Sequence, residues 1–109
     1  MTDRELLELA AKAAGVDYWV VRFAPKSAPI ERLHITKDGE TVEWNPLQDD
    51  GDALRLAVKL LFEIDFGLGS IAIRHSTGIK IIEAYNDDPY AATRRAIVRA
   101  AAEIGKEMK

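Results

Sequence analysis

The fold of this chain is decided near its centre, by the stretch Trp44-Asn45-Pro46-Leu47-Gln48-Asp49-Asp50-Gly51-Asp52-Ala53. A large aromatic residue, a turn-forming asparagine and a proline precede three carboxylates and the start of an apolar run. Carboxylates at a helix start accept hydrogen bonds from free backbone amides and favour the positive end of the helix dipole. The stretch therefore predicts a fixed connection that leads from a strand into a helix beginning at about Asp50 or Gly51.

The predicted helix continues to about Phe62. On a helical wheel only Asp52, Arg55 and Lys59 form a polar strip, while alanine, leucine and valine occupy most of the remaining circumference. A helix that is apolar on most sides needs cover on most sides. We therefore expect this helix to be largely enclosed.

Two further helices are indicated by the residues at their ends. Thr2 and Glu5 have the spacing of a capping box, and Gly15 supplies the left-handed residue that commonly ends a helix. Towards the C-terminus, Asp88 is a predicted N-cap and Pro89 occupies the first helical position, where its missing N–H costs nothing. One stripe of the last helix is expected to be buried. It consists of Tyr90, Thr93, Ile97, Ala100, Ala101, Ile104 and Met108.

Three strands are predicted between the first two helices. Residues 18–23 are apolar in both alternating sets, which favours a strand inside the sheet with cover on both faces. Residues 24–29 should form a loop, because the two prolines among them cannot donate to a strand ladder. The run from Ile30 to Thr36 alternates between apolar and polar residues. Asp38-Gly39 is a strong hairpin signal, so residues 41–44 should return antiparallel.

Two more strands are predicted between the second and third helices, at residues 70–74 and 79–85. The second of these again has apolar residues on both faces, and such strands need helices on both sides of their sheet. We therefore predict an α+β fold in one domain, residues 1–109. The architecture expected is a three-layer α/β/α sandwich with a mostly antiparallel sheet of about five strands and three helices, in the order αβββαββα.

Composition restricts the class of protein. The 109 residues suit a single core, and 48% apolar with 30% charged residues is ordinary for a globular domain. The formal net charge is -3, so no overall positive field attracts nucleic acid or an anionic membrane. The absence of cysteine excludes disulfides, thiolate metal sites and a cysteine nucleophile. The charged start of the chain predicts no secretion signal, and no apolar run is long enough to predict a membrane span.

Three blocks of the chain, residues 1–15, 44–60 and 88–106, resemble the small tailed-phage and prophage proteins grouped as the phage ABA sandwich domain family. The Trp-Asn-Pro-Leu entrance to the second helix and the Asp-Pro-Tyr-Ala-Ala-Thr-Arg-Arg-Ala-Ile start of the third are distinctive together. The resemblance implies a phage accessory protein that has an α/β/α sandwich and acts in the host cytoplasm. The family has no established activity, so the resemblance carries over no functional residues.

Several residue patterns are candidates for reactive or metal-binding sites. Asp49, Asp50 and Asp52 could bind a divalent cation, but they lack the spacing of an EF-hand loop, and helix capping explains them. His34 and His75 lie far apart in sequence and belong to no nucleophile motif. The sequence Gly67-Leu68-Gly69 precedes a strand and lacks the lysine of a phosphate loop. We therefore predict no catalytic residue, no metal and no cofactor, and hence no enzymatic activity.

Two sets of residues are candidates for contacting a partner. Arg95, Arg99 and Lys106 share a helical face and could contact phosphates, although a solvated helix face is the simpler interpretation. Trp44 could anchor a protein partner, because tryptophan is enriched at binding hot spots, although packing inside the domain is the more economical explanation.

The expected function is a non-enzymatic protein-binding module that acts on a host or phage factor. The alternative is a nucleic-acid-binding regulator that uses the basic face of the last helix, which the acidic net charge disfavours. No membrane partner is expected. The sequence leaves open both the identity of the protein partner and whether the chain forms homo-oligomers.

Overall fold

A computed structural model describes residues 1–23 and 30–108, so the loop predicted at residues 24–29 lies outside the described residues. No helix within these two ranges is both long and apolar enough to cross a membrane. The described residues form three helices and six strands. They are α1 (Asp3–Ala14), β1 (Trp19–Phe23), β2 (Ile30–Lys37), β3 (Glu40–Glu43), α2 (Asp50–Lys59), β4 (Glu63–Phe66), β5 (Ser70–Arg74), β6 (Lys80–Ala84) and α3 (Pro89–Glu107).

The strands form two antiparallel sheets, with the orders β1-β2-β3 and β4-β5-β6. The α+β class and the three helices are confirmed, but the prediction of one sheet with about five strands is wrong. Strand β4 was not predicted, because only two of its four residues, Ile64 and Phe66, are apolar. The predicted end of α2 at Phe62 also lies directly before this strand, with no turn residue between them to mark its start.

The hairpin between β2 and β3 is confirmed. Its two turn residues, Asp38 and Gly39, have φ angles of 51° and 81°. Positive φ at both positions is the requirement of a type I′ turn, whose twist matches that of the flanking strands. Ile35 and Val42 are therefore direct partners across the pair.

The predicted ends of α1 are confirmed. The Thr2 hydroxyl accepts a hydrogen bond from the Glu5 amide at 3.2 Å, and Gly15 ends the helix with a φ of 66°. The buried face of α1 packs against α3 through small side chains on both helices, which lets the two backbones approach closely. The helix α3 also packs against β5 and β6, and two residues of β5, Ile71 and Ile73, are fully buried.

The second helix departs from the prediction in two ways. It ends at Lys59, because Leu61 adopts a left-handed conformation with a φ of 56°. It is also not enclosed, since Leu54 and Val58 are exposed. The helix packs mainly against α3, through Ala53, Leu56 and Ala57, so only one side of its apolar circumference is covered.

The two-sided cover predicted for the strands is also wrong. Strand β1 lies at the edge of its sheet, and Trp19 and Phe23 on its outer face are 42% and 48% exposed. In β6, Ile82 is 56% exposed. Each sheet packs its inner face against helices and leaves apolar residues on its outer face. The predicted buried stripe of α3 likewise fails at its two ends, where Tyr90 and Met108 are exposed.

Candidate binding cleft

A cleft of about 710 Å³ lies between α2 and the β2–β3 hairpin and is open to solvent. Its volume falls in the range of ligand-binding clefts. The lining comes from the C-terminal end of α1, the hairpin, the connection after β3 and one side of α2. The lining residues are Ala14, Val16, Ile35, Lys37, Val42, Glu43, Trp44, Asn45, Gln48, Asp49, Asp52, Arg55, Leu56 and Lys59.

The floor of the cleft is apolar and firmly supported. Trp44 and Leu56 belong to the main hydrophobic core and are only 5% and 3% exposed. The Trp44 amide donates to the Leu33 carbonyl at 2.8 Å, which continues the β2–β3 ladder by one residue. Ile35 and Val42 extend the apolar surface along the hairpin.

The connection from Trp44 to α2 has the fixed shape that the sequence predicted. The Asn45 side-chain oxygen accepts from the Leu47 amide at 3.1 Å, and the Asn45 carbonyl accepts from the amides of Gln48 and Asp49. The Asn45 amide in turn donates to the Asp52 carboxylate at 3.0 Å. These bonds hold the connection after β3 against the first turn of α2, and residues of both line the cleft.

The three carboxylates at the start of α2 have separate partners. Asp49 is the N-cap and accepts from the Asp52 amide at 2.8 Å. Asp50 is the first residue of α2, as predicted, and its carboxylate forms an ion pair with Arg94 at 2.6 Å. Within the described residues, no group of three or more potential ligands could hold a metal ion. Asp49 therefore caps α2, whereas Asp52 accepts from the Asn45 amide and pairs with Arg55.

Some charged side chains around the cleft form ion pairs, whereas others do not. Arg55 pairs with Asp52 at 2.8 Å and lies 3.8 Å from Asp49. Glu43 pairs with Arg32 at 3.2 Å on the outer face of the sheet. Across residues 1–23 and 30–108, by contrast, no carboxylate lies within 4.0 Å of the ammonium group of Lys37 or Lys59. The carboxylates of the cleft are thus engaged, while two of its cations are not.

Strand β3 borders the cleft as an edge strand. Because the Trp44 amide bonds to Leu33, alternation along the ladder directs the main-chain groups of Val42 and Trp44 towards β2. The N–H and C=O groups of Thr41 and Glu43 therefore point away from β2. Such an unpaired edge is a template for a further strand.

The residues predicted to contact a partner occupy two unrelated places. Trp44 forms part of the cleft floor, but it is almost fully buried, which agrees with the interpretation that it packs inside the domain. Arg95, Arg99 and Lys106 lie on α3 and form separate ion pairs. Their partners are Asp3 at 3.1 Å, Glu83 at 3.0 Å and Glu103 at 3.0 Å, respectively.

The two histidines belong to different sheets. His34 lies on the outer face of β2, and its buried Nδ1 atom has no hydrogen-bond partner among the described residues. His75 follows β5, where its ring meets Phe62 edge to face at 5.6 Å and its Nδ1 atom accepts from the Thr77 amide at 3.2 Å. The His75 Nδ1 atom also lies 2.8 Å from the Thr77 hydroxyl, within the same turn. The Gly67–Gly69 segment forms the turn between β4 and β5, with the Gly67 amide donating to the Ser70 carbonyl at 2.9 Å.

Sequence reasoning missed Lys37 and Lys59 as site residues. Lys59 belongs to the predicted polar strip of α2, and Lys37 directly precedes the predicted Asp38-Gly39 turn, but no local pattern links positions so far apart. The hairpin and α2 bring both residues to one cleft. The only available signal was that each is the last residue of its element, a position that lysine often occupies on a protein surface.

Comparison with models of known protein families, with curated proteins and with solved structures gave no match for this chain.

Proposed function

We propose that this chain is a non-enzymatic protein-binding module and that its partner docks in the cleft between α2 and the β2–β3 hairpin. The observation that carries the proposal is the combination of a supported apolar floor with an unpaired edge strand at the same place. Apolar clefts with a few convergent polar groups are typical binding sites. A free strand edge adds main-chain hydrogen bonds for a polypeptide.

The biological setting belongs to the same proposal. The sequence blocks that resemble the phage ABA sandwich domain family support a phage accessory protein that acts on a host or phage factor in the host cytoplasm. The three-layer arrangement implied by that resemblance would require further cover on the outer face of each sheet. The exposed Trp19 and Ile82 mark where such cover would lie.

A non-enzymatic role is favoured by the way the polar groups of the cleft are used. Asp49 is committed to capping α2, Asp52 to the Asn45 amide and Arg55, and Glu43 to Arg32. A general acid or base needs a proton-transfer partner within hydrogen-bond reach. The groups present here instead stabilise the backbone that surrounds the cleft.

Nucleic-acid binding, the alternative function, has less support. Arg95, Arg99 and Lys106 each have a carboxylate partner, so a phosphate would have to replace an existing ion pair at every position. Counterion release, which supplies most nonspecific affinity, requires cations that are available to phosphates.

Site-specific photo-crosslinking tests the proposal. A photoreactive amino acid replaces Gln48, an exposed residue that lines the cleft, and in the control protein it replaces the exposed Ser76 in the turn after β5. In lysates of infected host cells, we expect position 48 to crosslink one protein, identified by mass spectrometry and then confirmed with the purified partner. Equal crosslinking at both positions would contradict the proposal. A crosslink between two copies of the chain would assign the cleft to self-association.

A further inference from the structure

We infer that the cleft accepts an extended peptide segment in which apolar side chains alternate with others and at least one residue is acidic. The peptide would add as a strand to the edge of β3, place apolar side chains over Trp44 and Leu56, and direct a carboxylate towards Lys37 and Lys59. This inference rests on the proposed function and specifies the chemistry of the partner.

The main chain of β3 indicates a peptide rather than a small molecule. Thr41 and Glu43 present two sets of N–H and C=O groups away from β2, spaced as a strand partner requires. Addition of a strand to a sheet edge takes affinity from main-chain bonds and specificity from pockets that receive alternate side chains. A small ligand would use neither the length nor the periodicity of this edge.

The apolar requirement follows from the face of the sheet that lines the cleft. Ile35 and Val42 are direct partners on this face, and Trp44 follows Val42 at the two-residue spacing of side chains on one side of a strand. An added strand has the same spacing, so every second side chain of the peptide would face this row. Leu56 of α2 adds a further apolar side chain to the same cleft.

The acidic requirement follows from the charges that lack partners. Lys37 shares the inner face of β2 with Ile35 and lies directly before the Asp38-Gly39 turn of the hairpin, and Lys59 is the last residue of α2. Neither ammonium group has a carboxylate within 4.0 Å among the described residues. A basic peptide finds no equivalent site, because Glu43, Asp49 and Asp52 are already paired with arginines.

The inference is tested by phage display of a library of random peptides. Each peptide has about 12 residues, enough for one strand with flanking residues on both sides. The library is selected in parallel on the intact wild-type protein and on a Lys37→Gln/Lys59→Gln double variant. Lys80→Gln serves as the matched control, since Lys80 is a lysine in β6, outside the cleft, that also has no carboxylate within 4.0 Å among the described residues. We expect wild-type and Lys80→Gln selections to enrich Asp or Glu among alternating apolar residues, and the double variant to lose the acidic enrichment.

Individual selected peptides are then measured by fluorescence anisotropy. Changing the acidic residue to its amide should weaken binding to the wild-type protein about five-fold, the upper end for one exposed ion pair, and should have no effect on the double variant. N-methylation of alternate peptide amides should weaken binding by a similar factor or more, because each change removes a main-chain hydrogen bond.

Two results would overturn the inference and leave the proposed function standing. One is a set of selected peptides without acidic enrichment that bind the double variant as well as the wild type. The other is failure to select any peptide while crosslinking at position 48 still identifies a partner, which would mean that the partner does not dock as an extended segment. Loss of crosslinking at position 48 as well would contradict the proposed function itself.

Discussion

Gly105 of α3 packs directly on the carbonyl group of Leu9 in α1. A Cβ atom added to Gly105 would lie 2.1 Å from the Leu9 oxygen and 2.8 Å from its carbonyl carbon. Both are backbone atoms, so no side-chain rotation can relieve the clash. The close approach of the two helices therefore depends on glycine at this position, near the C-terminal end of α3.

The first prediction follows from this contact. Gly105→Ala should lower the free energy of unfolding by about 3 kcal/mol, the upper range for overpacking a core, although alanine alone favours a helix by about 1 kcal/mol. Chemical denaturation measures the change. Gly51→Ala in the first turn of α2 is the matched control, because the added methyl group would meet only the movable Arg55 and Asp49 side chains. Equal stability of the two variants would mean that α1 and α3 do not pack as closely as described.

The second prediction concerns Trp44. Trp44→Ala should destabilise the protein by about 3 kcal/mol, because it empties a buried aromatic site in the core. Trp19→Ala is the control, since Trp19 is substantially exposed on the edge strand and should contribute much less. Denaturant midpoints followed by circular dichroism compare the two variants. An unchanged midpoint for Trp44→Ala would place this residue at the surface, and a role as a partner anchor would then become the better explanation.

Local sequence signals predicted the helix ends because each depends on neighbouring residues. Thr2, Gly15 and Asp88 act within one turn, and the structure confirms all three. The extent of α2 was overestimated because leucine at position 61 gives no sign of a left-handed conformation. Local chemistry thus located the elements but not every boundary.

The number of sheets was not predictable in the same way. The apolar faces of β1 and β6 indicated burial, but an apolar residue is equally compatible with an exposed outer face, as Trp19 and Ile82 show. Pairing between strands depends on contacts across the whole chain. For the same reason the cleft could not be predicted from the sequence, because its lining residues, such as Lys37 and Lys59, come from distant parts of the chain.

The third prediction uses the left-handed Leu61. A left-handed conformation costs a residue with a Cβ atom about 1–2 kcal/mol, and glycine avoids this cost while losing about 0.5–1 kcal/mol of unfolded-state entropy. Leu61 is 83% exposed, so little packing is lost on substitution. Leu61→Gly should therefore stabilise the protein by about 0.5 kcal/mol. Leu68→Gly, at an exposed leucine without positive φ, should give no stabilisation in the same thermal unfolding experiment. A destabilised Leu61→Gly variant would contradict the described backbone.

The fourth prediction is a pH dependence of stability. Burial of the Tyr18 side chain, followed by the nearby Glu8 carboxylate that accepts its hydrogen bond at 3.2 Å, raises the pKa of the Tyr18 hydroxyl. A pKa that is higher in the folded than in the unfolded state favours the protonated, folded form. This contribution is complete below the unfolded value of about 10 and is lost as the pH rises through the folded pKa. When the pH is raised from about 9 to above about 10, the free energy of unfolding of the wild type should fall more than that of Tyr18→Phe. Parallel pH profiles for the two proteins would contradict the assignment.

The last prediction decides between the protein-binding and nucleic-acid-binding functions. Each cation of the α3 face is paired within the chain, and the net charge of -3 opposes the approach of a polyanion. We therefore expect no binding to duplex or single-stranded DNA or RNA tighter than about 10 µM near physiological salt, which is weaker than a specific regulator needs. Fluorescence anisotropy with labelled oligonucleotides measures this affinity. An Asp3→Asn variant provides a sensitive control, because it releases Arg95 from its ion pair and should bind nucleic acid slightly better than the wild type. Sub-micromolar, salt-sensitive binding by the wild type that disappears in an Arg95→Ala/Arg99→Ala double variant would instead make the outer face of α3 the functional surface.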